Sequence, residues 1–330
     1  MSRRRSVVVV TTGGTIASRY DPATRRHRVK TSGEAVLAAL PHRPAKVELH
    51  VEEIAPVHSF NLSLDEVCRL AERLHHLLAQ EETAGVVVTQ GTDTLEESAY
   101  LLDLMLDAAQ PIVLTGAQLP ADHPQPDGPR NLADAIAAAA SEETRGLGTL
   151  VCFNGDIHAA RDVAKLHTSA LETFTSLGHG PLGVVDEGLV LVRRRPLLRR
   201  HYGVRALSAR VPLIKAAIDD GALLAGAAVR ADIDGLVIEA FGRGNLPSAY
   251  CQPIGDAIAR GLPVVVTSRC PLGRVKPIYG TDGGGKGLED LGIIFAGDLS
   301  GPKARVLLLV LLGAGLPLDA IRAEFAALAP

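Results

Sequence analysis

Aromatic residues are scarce in this chain: 330 residues include no tryptophan, 5 tyrosines and 6 phenylalanines. Proteins that stack nucleic-acid bases rely on aromatic platforms, so that mode of binding is not expected. An excess of charge is also missing. Lys+Arg 34 against Asp+Glu 37 leaves a net charge of -3, which selects no polyanionic partner, nucleic acid included. The longest apolar run, Val306 to Leu318, is broken by glycine and proline. It falls short of the roughly 20 residues a membrane helix needs, so no membrane partner is expected. The basic start Met1-Ser-Arg-Arg-Arg-Ser6 is followed only by Val7 to Val10 before Thr11-Thr12-Gly13-Gly14. That is too short for a signal-peptide core, and a cytoplasmic location is expected. Cysteine is limited to Cys68, Cys152, Cys251 and Cys270, without metal or redox spacing. They read as buried free thiols, and neither a metal nor an organic cofactor is expected.

What is present is an ordinary globular mixture, 47% hydrophobic and 22% charged, long enough for about two domains of roughly 150 residues. Val7–Val10, Gly85–Val88, Pro111–Leu114 and Thr149–Phe153 lack polar alternation, as strands covered on both faces do. Between them, Ser63-Leu-Asp-Glu66 reads as a capping box ahead of an apolar stripe from Leu64 to Leu78. Thr94-Leu-Glu-Glu97 repeats the box, and Asn131 is placed to cap a third helix through Ala140. Arg193–Arg200 reads as a solvated basic connector. Beyond it come a helix over Ile214 to Asp219, strands at Gly235–Phe241 and Pro263–Thr267, and two closing helices near Pro302–Leu312 and Pro317–Leu328. The fold class expected is α/β: a larger N-terminal doubly wound, mostly parallel sheet domain with right-handed crossovers, and a smaller C-terminal α/β domain. Boundaries are set at 1–190, a linker at 191–212, and 213–330. No internal repeat is visible.

In open α/β sheets ligands collect beyond the carboxyl ends of the strands. Four predicted strands end there in small polar residues: Thr11–Thr15, Thr89–Thr94, Thr115–Gln118 and Asn154–Asp156, the last followed by Arg161-Asp-Val-Ala-Lys165. Any one of these could be turn chemistry; four at one edge point to a site. No Cys or His stands there in nucleophile spacing. A threonine hydroxyl needs a base to take its proton, and a lysine kept neutral can be that base. Glycines ahead of threonine let backbone amides approach a developing oxyanion. This set suits hydrolysis of an amide or ester.

Thr12-Gly-Gly-Thr-Ile-Ala17 and Thr89-Gln-Gly-Thr-Asp-Thr-Leu-Glu-Glu97 resemble the two signature motifs of the bacterial-type L-asparaginases, the asparaginase/glutaminase family. Thr115-Gly-Ala117, Asp127-Gly-Pro-Arg-Asn131, Arg161–Lys165, Gly180-Pro-Leu-Gly183 and Pro302-Lys-Ala-Arg-Val306 extend the resemblance over most of the chain. It implies hydrolysis of the side-chain amide of L-asparagine, with Thr15 as nucleophile giving an acyl-enzyme. Thr92, linked to Lys165 and Asp93, would activate either the attacking group or the water. The amides of Thr92 and Ala117 would form the oxyanion hole, Asp93 would receive the substrate α-amino group, and Ser59 its α-carboxylate. It further implies a homotetramer of intimate dimers, with Asn245 reaching a neighbour's active site.

Three positions depart from the family pattern. The active-site loop tyrosine has two candidates, Tyr20 and His27. Ser59 is followed by Phe60 where many members carry glutamine, and Gly280–Gly287 offers no counterpart to the secreted members' partner-subunit glutamate. The latter stretch nearly matches a phosphate-binding loop but lacks the Ser/Thr after Lys286, and reads instead as a mobile glycine loop. His75-His76 are adjacent on a helix and so cannot form an i, i+4 zinc pair. Two alternatives stay open: a glutaminase/asparaginase of broad specificity, and a catalytically silent amino-acid-binding protein on the same fold. Loss of Thr15, Thr92 or Lys165 would mark the second, and all three are present.

Overall fold

Valines without polar alternation build the centre of the larger sheet, because helices cover both of its faces. The computed structural model describes residues 5–21, 24–29, 32–41, 47–54, 57–197 and 199–328. The chain forms two compact units, Met1–Arg205 and Ala206–Pro330. In the first, β1 (Ser6–Thr11) leads to a hairpin of β2 (Ser18–Asp21) and β3 (Arg26–Val29). Helix α1 (Gly33–Ala38), β4 (Glu48–Glu53), α2 (Leu64–Leu78) and β5 (Thr83–Thr89) follow, then α3 (Leu95–Met105), β6 (Ile112–Thr115), α4 (Gly128–Ala140) and β7 (Thr149–Phe153). The unit ends with β8 (Asp156–Ala159), the small hairpin β9 (Ala164–Lys165) and β10 (Phe174–Thr175), then β11 (Gly183–Asp186) and β12 (Leu189–Val192).

The main sheet has the order β12-β11-β8-β7-β6-β5-β1-β4. The stretch β4-β1-β5-β6-β7 is parallel, and the last three strands attach antiparallel. All six residues of β1 and all seven of β5 are buried. Each Val or Leu side chain so buried contributes about 1.5–3 kcal/mol of transfer free energy. Val7, Val9, Val87 and Val113 share one core with Val36 and Leu37 of α1 and with Leu132, Ala135 and Ile136 of α4. Helices α2 and α3 pack on the other face, against β5 and against β6 and β7 respectively.

This distribution positions the site. From β1 the chain steps outward to β4 and then returns past β1 to β5, so the strand order reverses beside β1. A crevice opens at such a reversal, beyond the carboxyl ends of the two strands. It also fixes relative handedness. The crossovers through α1, α2 and α3 share one hand, whereas α4 lies on the α1 face while stepping in the α3 direction. The β6–α4–β7 connection therefore has the opposite hand, against the uniformly right-handed expectation. That reversal carries the start of α4 in beneath the turn after β1: a Cβ on Gly128 would meet Ile16 Cγ1 at 2.7 Å and Ala117 Cβ at 3.3 Å.

The second unit holds β13 (Leu213–Lys215), α5 (Leu223–Arg230), β14 (Leu236–Ala240), α6 (Cys251–Ala259), β15 (Val264–Ser268), α7 (Gly285–Leu291), β16 (Ile294–Phe295), α8 (Gly301–Gly313) and α9 (Leu318–Leu328). Its four strands pair in parallel in sequence order. Ile214, Ile238, Val264 and Val266 pack with Ala225, Ile254 and Leu288 in its core.

Several local expectations are corrected. Leu213–Lys215 is a strand, not part of a helix over Ile214–Asp219, because pairing with β14 and the Lys215–Glu239 ion pair at 3.0 Å override local helix preference. The Ser63 box forms as read, Ser63 N donating to Glu66 Oε2 at 2.7 Å and Glu66 N to Ser63 Oγ at 3.2 Å. Thr94 makes no side-chain cap; its hydroxyl donates to the Ser59 carbonyl at 2.9 Å. Asn131 lies inside α4 and does not cap it. The basic segment is exposed, as read, at Arg193, Arg194, Arg195 and Arg200, but it is also anchored: Arg194 donates to the Gly180 and Pro181 carbonyls, Arg195 to those of Glu143 and Arg145, and the half-buried Arg199 to Asp103. The division between units falls inside the expected 191–212 linker, with β12 and the arginines in the first unit. All four cysteines are free, but only Cys68 and Cys152 are buried, while Cys270 is exposed. Among the described residues, no helix is long and apolar enough to cross a membrane.

Candidate active site

Three turns meet at the crevice because glycines let their backbones touch. Gly14, at φ +88°, sits so close to the turn after β5 that a Cβ would lie 2.4 Å from Gly91 N. Only glycine combines that left-handed φ with that contact at no cost. A Cβ on Gly91 would in turn lie 2.6 Å from Ser59 Oγ. The turn carrying Thr15, the turn carrying Thr92 and Asp93, and the short helical turn Ser59–Asn61 are thereby stacked. Thr12 reinforces the stack, its N and Oγ1 both donating to the Thr89 carbonyl at 3.0 Å. The turn after β6 joins from the other side: a Cβ on Gly116 would lie 2.4 Å from the Gln90 carbonyl and 3.4 Å from Thr92 Cγ2. Ala117 is fully buried there.

Into this cluster the β9–β10 hairpin delivers Lys165. Its Nζ lies 2.8 Å from Thr92 Oγ1 and 2.8 Å from Asp93 Oδ1. Thr92 is buried, the lysine side chain is 15% exposed and the Asp93 side chain 55% exposed. A buried hydroxyl thus contacts an amine that is itself held by a carboxylate open to solvent. Thr15 begins the short helical turn Thr15–Ala17, half-buried, one residue beyond the Gly14 contact. Six of the seven expected residues, Thr15, Ser59, Thr92, Asp93, Ala117 and Lys165, therefore share one crevice. Asn245 lies in the second unit, where its Oδ1 accepts from Gly285 N at 3.1 Å. The glycines beside it are packed, not loose: a Cβ on Gly283 would lie 2.1 Å from the Leu246 carbonyl. Tyr20 stands opposite His27 across the β2–β3 hairpin and is 47% exposed; the side chain of His27 lies outside the described residues.

Three residues of the cluster, Glu96, Gln118 and Asp127, carry no site role in the sequence reading, and Phe60 enters it only as a departure from the family pattern. Glu96, read as part of a capping pattern, uses Oε2 to accept from Lys165 N at 2.8 Å. Gln118 Oε1 accepts from Thr92 Oγ1 at 3.0 Å. Asp127 leaves α4 uncapped and binds the amides of Gln118 and Leu119, both at 2.9 Å. Phe60 is 64% exposed and stacks on His58, ring centroids 5.1 Å apart and 5° from parallel. The available signal was the density of polar residues in each strand-end turn, which marks the turns without ranking their members. Asn131 unites three of these turns: its Nδ2 donates to the Gly116 carbonyl and to Asp127 Oδ2, both at 3.1 Å, and its Oδ1 accepts from Asn154 N at 3.0 Å.

Comparison with known proteins covers both units. Residues 6–198 match the family described as Asparaginase, N-terminal, and residues 210–325 the Glutaminase/Asparaginase C-terminal domain. A "Probable L-asparaginase" of Deinococcus radiodurans is 41% identical over 329 residues, spanning 97% of this chain and 96% of that one. An "L-asparaginase" of Bacillus licheniformis is 34% identical over 308 residues, with 93% and 95% covered. The crystal structure of a "Probable Cytoplasmic L-asparaginase" from Campylobacter jejuni superposes with a TM-score of 0.88 at 31% identity, covering 98% of this chain and 99% of that one.

Proposed function

Because this chain belongs to the asparaginase family, we propose that it hydrolyses the side-chain amide of L-asparagine to L-aspartate and ammonia. The observation that carries this reading is Lys165 Nζ bonded at 2.8 Å to both Thr92 Oγ1 and Asp93 Oδ1, in a turn stacked on the one that bears Thr15. Thr15 Oγ attacks the amide carbon, and its proton passes to the departing nitrogen, which leaves as ammonia. The resulting threonyl ester is attacked by water, which supplies the hydroxyl of aspartate and returns the proton to Thr15. Thr92 relays protons to and from Lys165 in its amine form. The amides of Thr92 and Ala117 receive the oxyanion, a contribution worth about 3–4 kcal/mol per donor in comparable sites. Asp93 takes the α-amino group and Ser59 the α-carboxylate. The whole cycle uses only protein groups and water. The cytoplasmic description of the Campylobacter jejuni relative supports the same location here.

An ammonia-release assay on a panel of asparagine, glutamine and simple amides tests the activity, with asparagine expected to turn over fastest. Thr15→Ala and Thr92→Val are each expected to lose at least about a thousandfold in kcat with the fold intact, as removal of a nucleophile or its activator does. Ser59→Ala is expected to raise KM and leave kcat near wild type. A folded Thr15 or Thr92 variant that keeps more than about a tenth of kcat would remove that residue from the mechanism.

A further inference from the structure

Gln118 touches the centre of the array and has no part in the mechanism above. Its Oε1 accepts from Thr92 Oγ1 at 3.0 Å, and its Nε2 donates to the Ala170 carbonyl at 3.2 Å and the Thr168 carbonyl at 3.5 Å. Thr168 and Ala170 lie in the loop joining β9 to β10, the hairpin that carries Lys165. His167 Nδ1 organises that loop by accepting from Ser169 N and Ala170 N at 3.1 and 2.9 Å. The backbone of Gln118 is fixed through its own amide, donated to Asp127 Oδ2 at 2.9 Å. One side-chain amide therefore spans the Thr92 hydroxyl and the lysine hairpin.

A threonine hydroxyl has one hydrogen and two lone pairs. Here Gln118 Oε1 takes the hydrogen and a Lys165 N–H takes one lone pair, so the other lone pair is left for the reacting group. We infer that Gln118 is a positioning residue that sets the Thr92 hydroxyl rotor, turning its proton away from Lys165, and so sets the pH at which activity appears. This inference rests on the roles proposed for Thr92 and Lys165. While Gln118 holds the Thr92 proton, Thr92 offers Lys165 only lone pairs, which favours the donating ammonium form. The amine form needs the opposite hydrogen bond, from Thr92 to lysine.

The charged groups facing Lys165 are Asp93, 2.8 Å from Nζ, and Glu96, 2.8 Å from its backbone N. On its own segment Asp162 is paired with Arg161 at 2.8 Å, and His167 is occupied by the two amides above. The facing strand β10 contributes Phe174 and Thr175, which carry no charge. Substitution at Gln118 leaves all of these groups in place.

The test is kcat against pH for wild type, Gln118→Met, Gln118→Glu and Lys165→Met, with thermal midpoints to establish folding. Gln118→Met keeps the length of the side chain and removes the acceptor. The freed hydroxyl can then donate to the amine, so the rising limb is expected to move to lower pH by about half a unit to one unit, the worth of one neutral hydrogen bond. Its kcat should fall about tenfold through lost orientation, with KM within about twofold. Gln118→Glu keeps an acceptor and adds negative charge near the lysine, so its limb should move to higher pH. Opposite displacements by two side chains of similar size are not produced by a packing role. If Gln118→Met fails to fold, Gln118→Ala, which also removes the acceptor and adds no charge, carries the same expected displacement to lower pH, and an unmoved limb there overturns the inference. A limb lost in Lys165→Met but unmoved in the Gln118 variants overturns this inference alone. A Lys165→Met enzyme with wild-type rate and limb overturns the proposed role of the lysine, and this inference with it.

Discussion

His158, on β8, is 1% exposed, with Nδ1 3.0 Å from Ser176 Oγ. Burial pushes its pKa down from 6.5 to about 4, partly offset by the Asp162 carboxylate. The ring is therefore neutral at neutral pH, and Asp156, 4.0 Å from Nε2, is a neighbour and not an ion-pair partner. The unfolded chain binds a proton at this histidine between about pH 6.5 and 4 that the folded chain does not, so stability is present above that window and falls as pH drops through it. The full effect is about 3 kcal/mol. His158→Asn, which keeps a polar partner for Ser176, should be destabilised relative to wild type at pH 7 and lose most of that deficit by pH 4. Urea unfolding of both proteins at several pH values measures it, and a deficit independent of pH would dissociate His158 from the acid lability. Neither the burial nor the partner was visible in the sequence, where His158 is one of 11 histidines.

At the scale of elements, the basic segment is the clearest case of tertiary context deciding a role. Arg199 Nη2 and Nε lie 3.0 and 3.3 Å from Asp103 Oδ1, the same oxygen that accepts from Thr149 N at 2.9 Å. Asp103 closes the last turns of α3 onto the first residue of β7 and clamps the arginine segment across both. Removing it leaves a buried strand amide and a guanidinium without their acceptor. Asp103→Ala is expected to cost about 2–3 kcal/mol, and Asp103→Asn less, because it restores an oxygen for Thr149 N. Arg199→Ala should cost less than Asp103→Ala, since it leaves the strand amide satisfied. Chemical denaturation of the three variants tests that order, and an Asp103→Ala protein as stable as wild type would refute it. Activity should be retained in all three, since the clamp lies away from the crevice residues.

For the whole molecule, the resemblance implies a homotetramer in which Asn245 completes a neighbouring site, and we carry this forward as a proposal. Asn245 Oδ1 is already engaged by Gly285 N, which leaves its amide hydrogens as the group available to a neighbour. Asn245→Asp keeps the oxygen for Gly285 and removes those hydrogens. It should fold with wild-type stability and show a KM raised about tenfold, the scale of one lost hydrogen bond to a charged group. Light scattering on the wild type should give four times the chain mass. A fully active monomer would refute the shared-site proposal.

The α/β class, the runs of buried valine, the Ser63 cap and the four polar turns are legible in neighbouring residues, through periodicity, capping spacing and glycine placement. Thr12–Ala17 and Thr89–Glu97 likewise announce their chemistry within a few residues. The tertiary structure alone decided what those turns hold. Thr92 and Lys165 meet at 2.8 Å across 73 positions of chain, and the reversed β6–α4–β7 crossover brings Gly128 beneath Ile16 and Ala117. Gln118, Glu96 and Asp127 were legible only as polar turn residues, since a hydrogen bond between distant segments leaves no local period. Ile214 was misread for the same reason. Its strand is stabilised by pairing with β14, where Ile214 stands opposite Ile238, and no local window contains that partner.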